Sequence, residues 1–299
     1  MVYQNLFNSS NVVVKSQLGG MQVLEYARDM SVYPQTSKIE YYCAQMGINK
    51  RQVLLNLNGN GYTIQAGAMQ WMSGNVSMGT GVKGAGDLLG KFVASKVTKE
   101  STIKPEYTGY GQVMLEPTYR HILLTDVASW GGSIVLDDGL FLACDSTLQQ
   151  KVVARSNLSS AVFGGEGLFN LSLNGNGVCA LESIVPQEEL FEIVLENDVM
   201  KIDGNMAIAW SGSLEFTVEK SSKSLIGSAV SKEGLVNVYR GTGKIWMAPV
   251  LETGGSAGVS SPVAAATETA STGQTGTRAA QNNQLDKMER VANILNKFS

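Results

Sequence analysis

The sequence contains one histidine, His121, and only three cysteines, Cys43, Cys144 and Cys179. A single histidine excludes a zinc or iron site built from several histidines, and it excludes any mechanism that needs a pair of them. Because no Gly-x-Ser-x-Gly elbow supplies a nucleophile for it, we expect His121 to be structural, at the start of a strand. The cysteines are odd in number and lack Cys-x-x-Cys spacing, so we expect reduced thiols, packed as small apolar side chains in the cytoplasm.

Long hydrophobic runs and an excess of positive charge are also missing. No apolar run reaches about 18 residues, so no transmembrane segment is expected. The first twenty residues hold one lysine, no arginine and no apolar core, unlike a secretory signal. The net charge of −3 gives no general attraction to phosphate. Since no strand combines basic and aromatic residues either, nucleic acid is not an expected partner.

What the sequence does contain is a unit that occurs three times. Its middle copy runs from Glu166 to a Gly-x-Gly element, and related segments surround Glu100 and Glu233. The second glycine of each element falls at 111, 177 and 243, which gives two steps of 66 residues. Such regular spacing indicates duplication, and three β units that cannot each bury a face alone must share a core.

Each copy predicts the same order of strands: a leading strand, a turn, a second strand, a variable excursion and a glutamate strand that ends in Gly-x-Gly. The leading strands are expected at 53–57, 134–136 and 190–195, and their continuations at 62–66, 140–143 and 199–202. In the middle copy, Phe169, Leu171 and Leu173 alternate with polar residues such as Asn170 and Ser172. This pattern is typical of an antiparallel strand with one face on a core and one in water. We therefore expect an all-β fold with three related antiparallel units around a pseudo-threefold axis.

Glycine, asparagine and proline mark further local features. Each Gly-x-Gly element is expected to reverse the chain at positive φ. The segment Asn58-Gly59-Asn60-Gly61 contains Asn-Gly, the strongest short hairpin signal, so a tight turn is expected there. Pro105 has no N–H for a ladder hydrogen bond, which predicts an edge position for its strand.

After residue 250 the composition changes. Residues 251–281 are rich in Gly, Ser, Thr and Ala and contain no aromatic residue, which predicts a flexible linker. Within residues 282–299, apolar side chains recur at helical spacing, at positions 285, 288, 291, 295 and 298, and Asn283 precedes them as a cap. We divide the chain into a triplicated β domain (1–250), this linker and an amphipathic helix. The helix is expected to bind a second copy of the chain or another protein, and the alternative is that it folds back on its own β core.

Two motifs resemble chemical sites but favour structural interpretations. Residues 79–84 follow Gly-x-Gly-x-x-Gly, yet they lie in an antiparallel context with no helix of Rossmann length behind them, so a flexible glycine insertion within 77–90 is favoured. The repeated glutamates Glu100, Glu166 and Glu233 are weak candidates for ligand binding. Their triplication favours a structural role, in which each glutamate binds backbone N–H groups of its own copy. No cofactor, metal site or catalytic residue is predicted.

The repeated motifs resemble a known family. The resemblance rests on Ala66-Gly67-Ala68-Met69, on Lys99-Glu100-Ser101, on 163–169 and on 233–236, together with the glycine-rich insertion. These segments are similar to the altered inheritance of mitochondria protein 24 family, whose bacterial members are of unknown function. The resemblance implies a fold similar to the tryptophan RNA-binding attenuation protein (TRAP), a double-stranded β-helix or sandwich, here repeated. It implies no catalytic residues. Lys99 and Ser101 replace the glycines that flank Glu166.

These observations lead to two expected functions. The favoured one is a non-enzymatic structural or interaction protein, an oligomeric scaffold whose repeats present sheet faces to partners. The alternative is a small-ligand-binding module, by analogy with the tryptophan-binding relative of the fold.

Overall fold

The computed structural model describes residues 3–79, 104–154, 169–220 and 235–250, which all lie in one compact unit, Met1–Gly255. Their regular structure is almost entirely β, and this confirms the expected all-β class. The strands are β1 (Val12–Leu18), β2 (Met21–Tyr26), β3 (Arg51–Ile64), β4 (Met69–Gly79), β5 (Glu106–Leu115), β6 (His121–Asp126), β7 (Ser133–Leu136), β8 (Phe141–Asp145), β9 (Gln149–Ala154), β10 (Phe169–Asn174), β11 (Val178–Ser183), β12 (Phe191–Asp203), β13 (Ala207–Ser211), β14 (Glu215–Lys220) and β15 (Leu235–Met247). The described helices are α1 (Ser37–Gln45) and the short 3-10 segments Val127–Trp130 and Gln187–Glu189.

The strands form two antiparallel sheets. In the first sheet the order is β1-β2-β3-β8-β11-β6, with β5 paired to β3 and β4 paired to β5. In the second sheet the order is β12-β15-β13-β7-β10-β9, with β14 paired to β15. Within the described ranges β4 pairs only with β5, and β12 pairs only with β15. Each of these two strands therefore has one edge without a neighbouring strand.

The Gly-x-Gly elements lie within a strand or between two strands and do not reverse the chain. Gly109, Gly175 and Gly241 have the expected positive φ, with values of 121°, 120° and 117°. The expected reversal is wrong, because β5 keeps both β3 and β4 as neighbours on either side of its glycines. The glycines of β15 likewise lie inside a continuous strand. In the middle copy the chain passes at this element from β10 in the second sheet to β11 in the first.

The Asn-Gly segment forms a β-bulge where a tight turn was expected. β3 continues through it, and the register of β3 against β5 shifts between Asn58 and Gly61. Gly59 absorbs the extra length at a φ of 87°. A bulge bends a strand locally, and this one lies opposite the glycines of β5. β12 has a similar shift opposite the glycines of β15, where Asn197 has a φ of 54°.

The polar face of β10 is buried, contrary to the alternation pattern. Leu173 is buried as expected, but Asn170 and Ser172, expected in water, are only 2% and 3% exposed. β10 is a central strand of the second sheet, between β7 and β9, so these side chains lie beside side chains of both neighbouring strands. The Asn170 amide donates a hydrogen bond of 2.9 Å to the carbonyl of Leu136. Buried amides need such partners, and here the neighbouring strand supplies one.

Two other local expectations change with the strand pairing. In the middle copy β6 pairs with β11 and β7 pairs with β10, whereas in the first copy the single strand β3 pairs with β5. The leading strand of the middle copy is therefore split into β6 and β7 by the 3-10 segment Val127–Trp130. The segment 134–136 is the second half of that strand, and 140–143 belongs mainly to β8. Pro105 is not on an edge strand. It directly precedes β5, which has neighbours on both sides, and at this position the missing N–H interrupts no ladder.

Three large apolar clusters fill the interior. One gathers side chains from β2, β3, β5 and β8. A second packs around Trp130 and Trp246, whose rings meet edge to face with centroids 4.9 Å apart. A third packs around Trp210 and Tyr239, with centroids 5.4 Å apart. Aromatic pairs of this geometry add roughly 0.5–1.5 kcal/mol each beyond the area that they bury.

Candidate interaction surfaces

Helix α1 presents apolar side chains to solvent. It begins after Thr36 and ends at Met46, and Gly47 follows with a φ of 74°. Glu40 is its one buried residue, so the usual arrangement of an amphipathic helix is reversed. The α1 surface consists of six side chains that are between 49% and 77% exposed: Met30, Tyr33, Ile39, Tyr41, Tyr42 and Met46. Apolar patches of this kind mark interaction sites.

No sequence pattern predicts α1, because its apolar residues form no buried stripe. The available signals were Thr36, a favoured N-cap type, and Gly47, a favoured residue just after a helix. Both are weak without a hydrophobic period between them.

Through Glu40, α1 joins a polar cluster that connects it to the sheet. The Tyr119 hydroxyl donates to Asp29 Oδ2 at 2.7 Å and to Glu40 Oε2 at 3.4 Å. Lys50 forms an ion pair with Asp29 at 3.1 Å. Burial and the two carboxylates raise the pKa of Tyr119. Burial alone would raise the pKa of Asp29, but hydrogen bonds from Tyr119, Lys50 and the Ser31 N–H outweigh it and lower that pKa. The polar groups satisfy one another, which suits an anchor for the helix.

A buried ion pair fixes the end of α1. Arg51 Nε donates to Glu25 Oε2 at 2.8 Å, and both residues are buried. The remaining N–H groups of Arg51 donate to the carbonyls of Gly47 at 3.0 Å, Asn49 at 3.1 Å and Arg120 at 3.4 Å. Gly47 and Asn49 directly follow the helix, so one guanidinium holds the helix end, β2 and β6 together. Buried charges persist only when they are paired in this way.

His121 is the first residue of β6, as the sequence predicts. Burial and the positive charge of Arg51 lower its pKa, against the weaker opposing effect of nearby glutamates. The imidazole is therefore neutral near pH 7.

The two buried cysteines lie directly opposite each other on neighbouring strands. Cys144 of β8 and Cys179 of β11 are paired in register, and both are free thiols. Burial is the main cause that raises the pKa of Cys144 to about 12, and it also raises the pKa of Cys179. Thiols that stay protonated are poor nucleophiles, so these side chains pack as small apolar groups.

The weak ligand-binding candidates Glu100, Glu166 and Glu233 lie outside the described residues. So do most of the glycine-rich segment 77–90, the linker and the helix expected at 282–299. These expectations stay predictions. In the part of the chain that the structure describes, no group of three or more His, Cys, Asp or Glu residues could hold a metal ion. In that same part, no helix combines the length and apolar character needed to span a bilayer.

The open edges of β4, in the first sheet, and β12, in the second, are two further candidate surfaces. β4 exposes Met72 and Met78, and β12 exposes Phe191, Val194 and Val199. An unpaired strand edge with apolar side chains is a template for another strand.

These features define a class: an antiparallel β protein with an apolar helix surface and, among its described strands, open edges that include those of β4 and β12. The chain belongs to the family described as Mitochondrial biogenesis AIM24, which it matches over residues 46–250. The resemblance seen in the repeated motifs is thereby confirmed. An uncharacterised protein of Streptococcus pyogenes serotype M6 is 31% identical over 198 residues, which span 64% of this chain and 77% of the relative. A crystal structure of a Streptococcus pyogenes protein is also similar, with 27% identity and a TM-score of 0.49, covering 68% of this chain and 88% of that one.

Proposed function

We propose that the protein is a non-enzymatic cytoplasmic scaffold that assembles with copies of itself and is built from three related, TRAP-like β units. Unit 1 comprises β3, β4 and β5, unit 2 comprises β6 to β11, and unit 3 comprises β12 to β15. In each unit a closing strand carries Gly-x-Gly and pairs with a leading strand on one side and a middle strand on the other. The closing strands are β5, β10 with β11, and β15. The leading strands are β3, β6 with β7, and β12, and the middle strands are β4, β8 with β9, and β13 with β14.

Backbone geometry at the glycines supports this relation. The first glycine of each element has a φ within a few degrees of 120° in all three units. Leu57 lies opposite Gly111 in unit 1, and Leu195 lies opposite Gly243 in unit 3. In unit 2 the corresponding contact is a hydrogen bond of 2.9 Å from the Val127 N–H to the Gly177 carbonyl. Three segments that share only 66-residue spacing by chance would not share this pairing.

A side-chain contact after the glycines supports the same relation. The Val178 N–H donates to Asp145 Oδ2 at 2.7 Å in unit 2. The Lys244 N–H donates to Ser211 Oγ at 3.1 Å in unit 3. In both units the residue that follows the second glycine is bound by the end of the middle strand.

The observation that carries the scaffold proposal is the junction between successive units, which is made twice in the same way. Residues 62–64 of the leading strand β3 lie opposite residues 143–145 of the middle strand β8. Residues 134–136 of β7 lie opposite residues 209–211 of β13. Both junctions are antiparallel and join the leading strand of one unit to the middle strand of the next. Units with such edges are suited to assembly by strand addition.

The junctions also bear on the expected pseudo-threefold axis. A closed threefold within one chain needs a third junction, between β12 and β4, which the described residues do not make. We therefore propose that the units are related by a repeated step rather than by a closed threefold within the chain.

Light scattering coupled to size exclusion tests the scaffold proposal. We expect a mass that is a multiple of the 31.9 kDa chain. A monomeric mass at every concentration would overturn the proposal. A second chain lacking residues 282–299 tests the predicted helix: loss of mass would assign assembly to that helix, and an unchanged mass would assign it to the β units.

A further inference from the structure

Building on the proposed scaffold function, we propose that the open edge of β12 in one copy pairs with the open edge of β4 in a second copy, in a register that the chain itself specifies. Two of the three leading strands, β3 and β7, already pair with the middle strand of the next unit. The third leading strand, β12, has no following unit within the described chain, and β4 has no preceding one. One copy therefore carries the two complementary halves of a junction that it makes twice elsewhere.

The register follows from the closing strands. Each junction joins three consecutive residues, a triplet, of a leading strand to a triplet of a middle strand. On the leading strand, the central residue of the triplet lies opposite the closing-strand residue that is three before the first glycine. These pairs are Thr63 with Glu106, Val135 with Ser172, and Lys201 with Val238. On the middle side, the central residue lies opposite the residue two after the second glycine. These pairs are Met72 with Val113, Cys144 with Cys179, and Trp210 with Ile245.

Within the chain, Thr63 faces Cys144 and Val135 faces Trp210. Lys201 should therefore face Met72 of a second copy. The neighbouring pairs are then Met200 with Ser73 and Ile202 with Trp71, each written with the β12 residue first.

Hydrogen bonds at the two ends of the existing junctions repeat as well. The Ser146 N–H donates to the Gly61 carbonyl, and the Gly212 N–H donates to the Ser133 carbonyl, both at 2.9 Å. At the other end, the Gln65 N–H donates to Leu142 at 2.8 Å and the Asp137 N–H donates to Ile208 at 2.9 Å. The same positions at the proposed contact are Gly74 N–H to the Val199 carbonyl, and Asp203 N–H to the Gln70 carbonyl.

Burial differs between the made and unmade junctions. Thr63, Cys144, Val135 and Trp210, the central residues of the existing junctions, are all buried. Met72 occupies the corresponding position on β4 and is 46% exposed. A second copy would cover this side chain as the earlier junctions cover theirs.

The charges on the two edges are compatible with this contact. β4 contains no charged residue, so the acidic side chains and Lys201 of β12 meet no like charge there. The Lys201 ammonium forms an ion pair with Glu219 on its own chain, at 3.4 Å. Because the two edges are different surfaces, the contact is head to tail, and its repetition gives a ring or a filament.

Disulfide trapping between separate chains tests the register. Met200→Cys and Ser73→Cys are placed in two different chains, each with Cys43→Ser to remove the accessible native thiol, and one chain carries a size tag. The proposed pair lies between hydrogen-bonded pairs, where Cα atoms are about 4.5 Å apart, and this suits a disulfide. Asn75→Cys is the matched control, because it lies on the same strand two residues out of register.

Oxidised glutathione should give a reducible product at the summed mass of the tagged and untagged chains from Met200→Cys with Ser73→Cys, and little or none with Asn75→Cys. If the wild-type chain is oligomeric but the cysteine variants give no crosslinked product, this inference is overturned while the scaffold proposal stands. A chain that carries both cysteines and oxidises within itself, at monomeric mass, would overturn it in favour of closure within one chain. A monomeric wild type would overturn both proposals.

Proline at Met72 gives an independent readout. The central residue of each junction directs its N–H toward the next unit, so Met72→Pro should remove a contact to the second copy and leave the β4–β5 ladder intact. We expect monomeric mass with an unchanged circular dichroism spectrum. Tyr42→Glu, on the α1 surface, is the control and should keep the oligomer. The opposite result, assembly lost with Tyr42→Glu and kept with a folded Met72→Pro, would assign self-association to the α1 surface and refute the edge pairing.

Discussion

Replacing Gly109 with alanine is expected to destabilise the protein more than the same change at Gly175 or Gly241. The three glycines have almost the same φ, so the backbone strain imposed by a Cβ is similar in each. Their surroundings differ. A Cβ on Gly109 would collide with the carbonyl oxygen of Asn75 in β4. At Gly175 and Gly241 the nearest atoms are leucine side chains at 3.6 Å and 3.8 Å, which is ordinary van der Waals contact.

The difference arises from the middle strands. β4 is one continuous strand past the glycines of β5. In the other two units the middle strand is interrupted, between β8 and β9 and between β13 and β14. A non-glycine residue at this φ costs about 1–3 kcal/mol, which is the expected effect at Gly175 and Gly241. Displacing β4 adds about 1–3 kcal/mol, by comparison with overpacked sites, so we expect about 2–6 kcal/mol for Gly109→Ala.

Urea unfolding followed by tryptophan fluorescence measures these costs, with Gly175→Ala and Gly241→Ala as matched controls. The midpoint should fall furthest for Gly109→Ala while the slope stays the same. Equal losses at the three glycines would show that β4 does not restrict β5 as described and would refute the reasoning.

Two further predictions concern the charged groups. Glu25→Gln leaves the buried Arg51 charge without its partner and should cost about 3–5 kcal/mol. Lys201→Met removes only an exposed ion pair with Glu219 and should change the stability little, and similar costs for the two variants in urea unfolding would contradict this account. The lowered pKa of His121 means that the unfolded chain takes up the proton first, so wild-type stability should fall as pH drops through about 6.5, the unfolded value. His121→Asn should lose less stability over that range, and parallel pH profiles would show that His121 does not contribute.

The sequence was sufficient to predict the β class, the family and most strand positions. The 66-residue spacing and the alternation of apolar and polar residues in β10 are properties of the sequence itself, so they do not depend on how the strands are arranged. β3 was located correctly because its apolar residues are buried. β12 was located correctly because its residues favour a strand, although several of its apolar side chains are exposed. The positive φ of Gly109, Gly175 and Gly241 was predictable for the same reason, since glycine is chosen for backbone geometry.

Features that depend on neighbouring strands were not predictable. Asn58 and Gly59 form a hairpin turn in isolation, but here β5 holds the chain extended and converts the turn into a bulge. Asn170 is polar on any hydropathy scale, and its burial and its hydrogen bond to the Leu136 carbonyl depend on the tertiary structure. The α1 surface was missed because its apolar side chains face solvent, where no periodicity rule expects them. The candidates Glu100, Glu166 and Glu233 were chosen by repetition alone, and they lie outside the described residues.

The three partners of β3 become available at different times during synthesis on the ribosome. β2 pairs with residues 51–55 and is already made when β3 emerges, whereas β5 ends at residue 115 and β8 at residue 145. At about 5–20 residues per second, β3 waits on the order of 3–10 s for β5. During that interval β2 is the only one of the three strand partners that can pair with this apolar strand. A nascent chain without the hairpin would leave the whole of β3 open to pairing with other nascent chains.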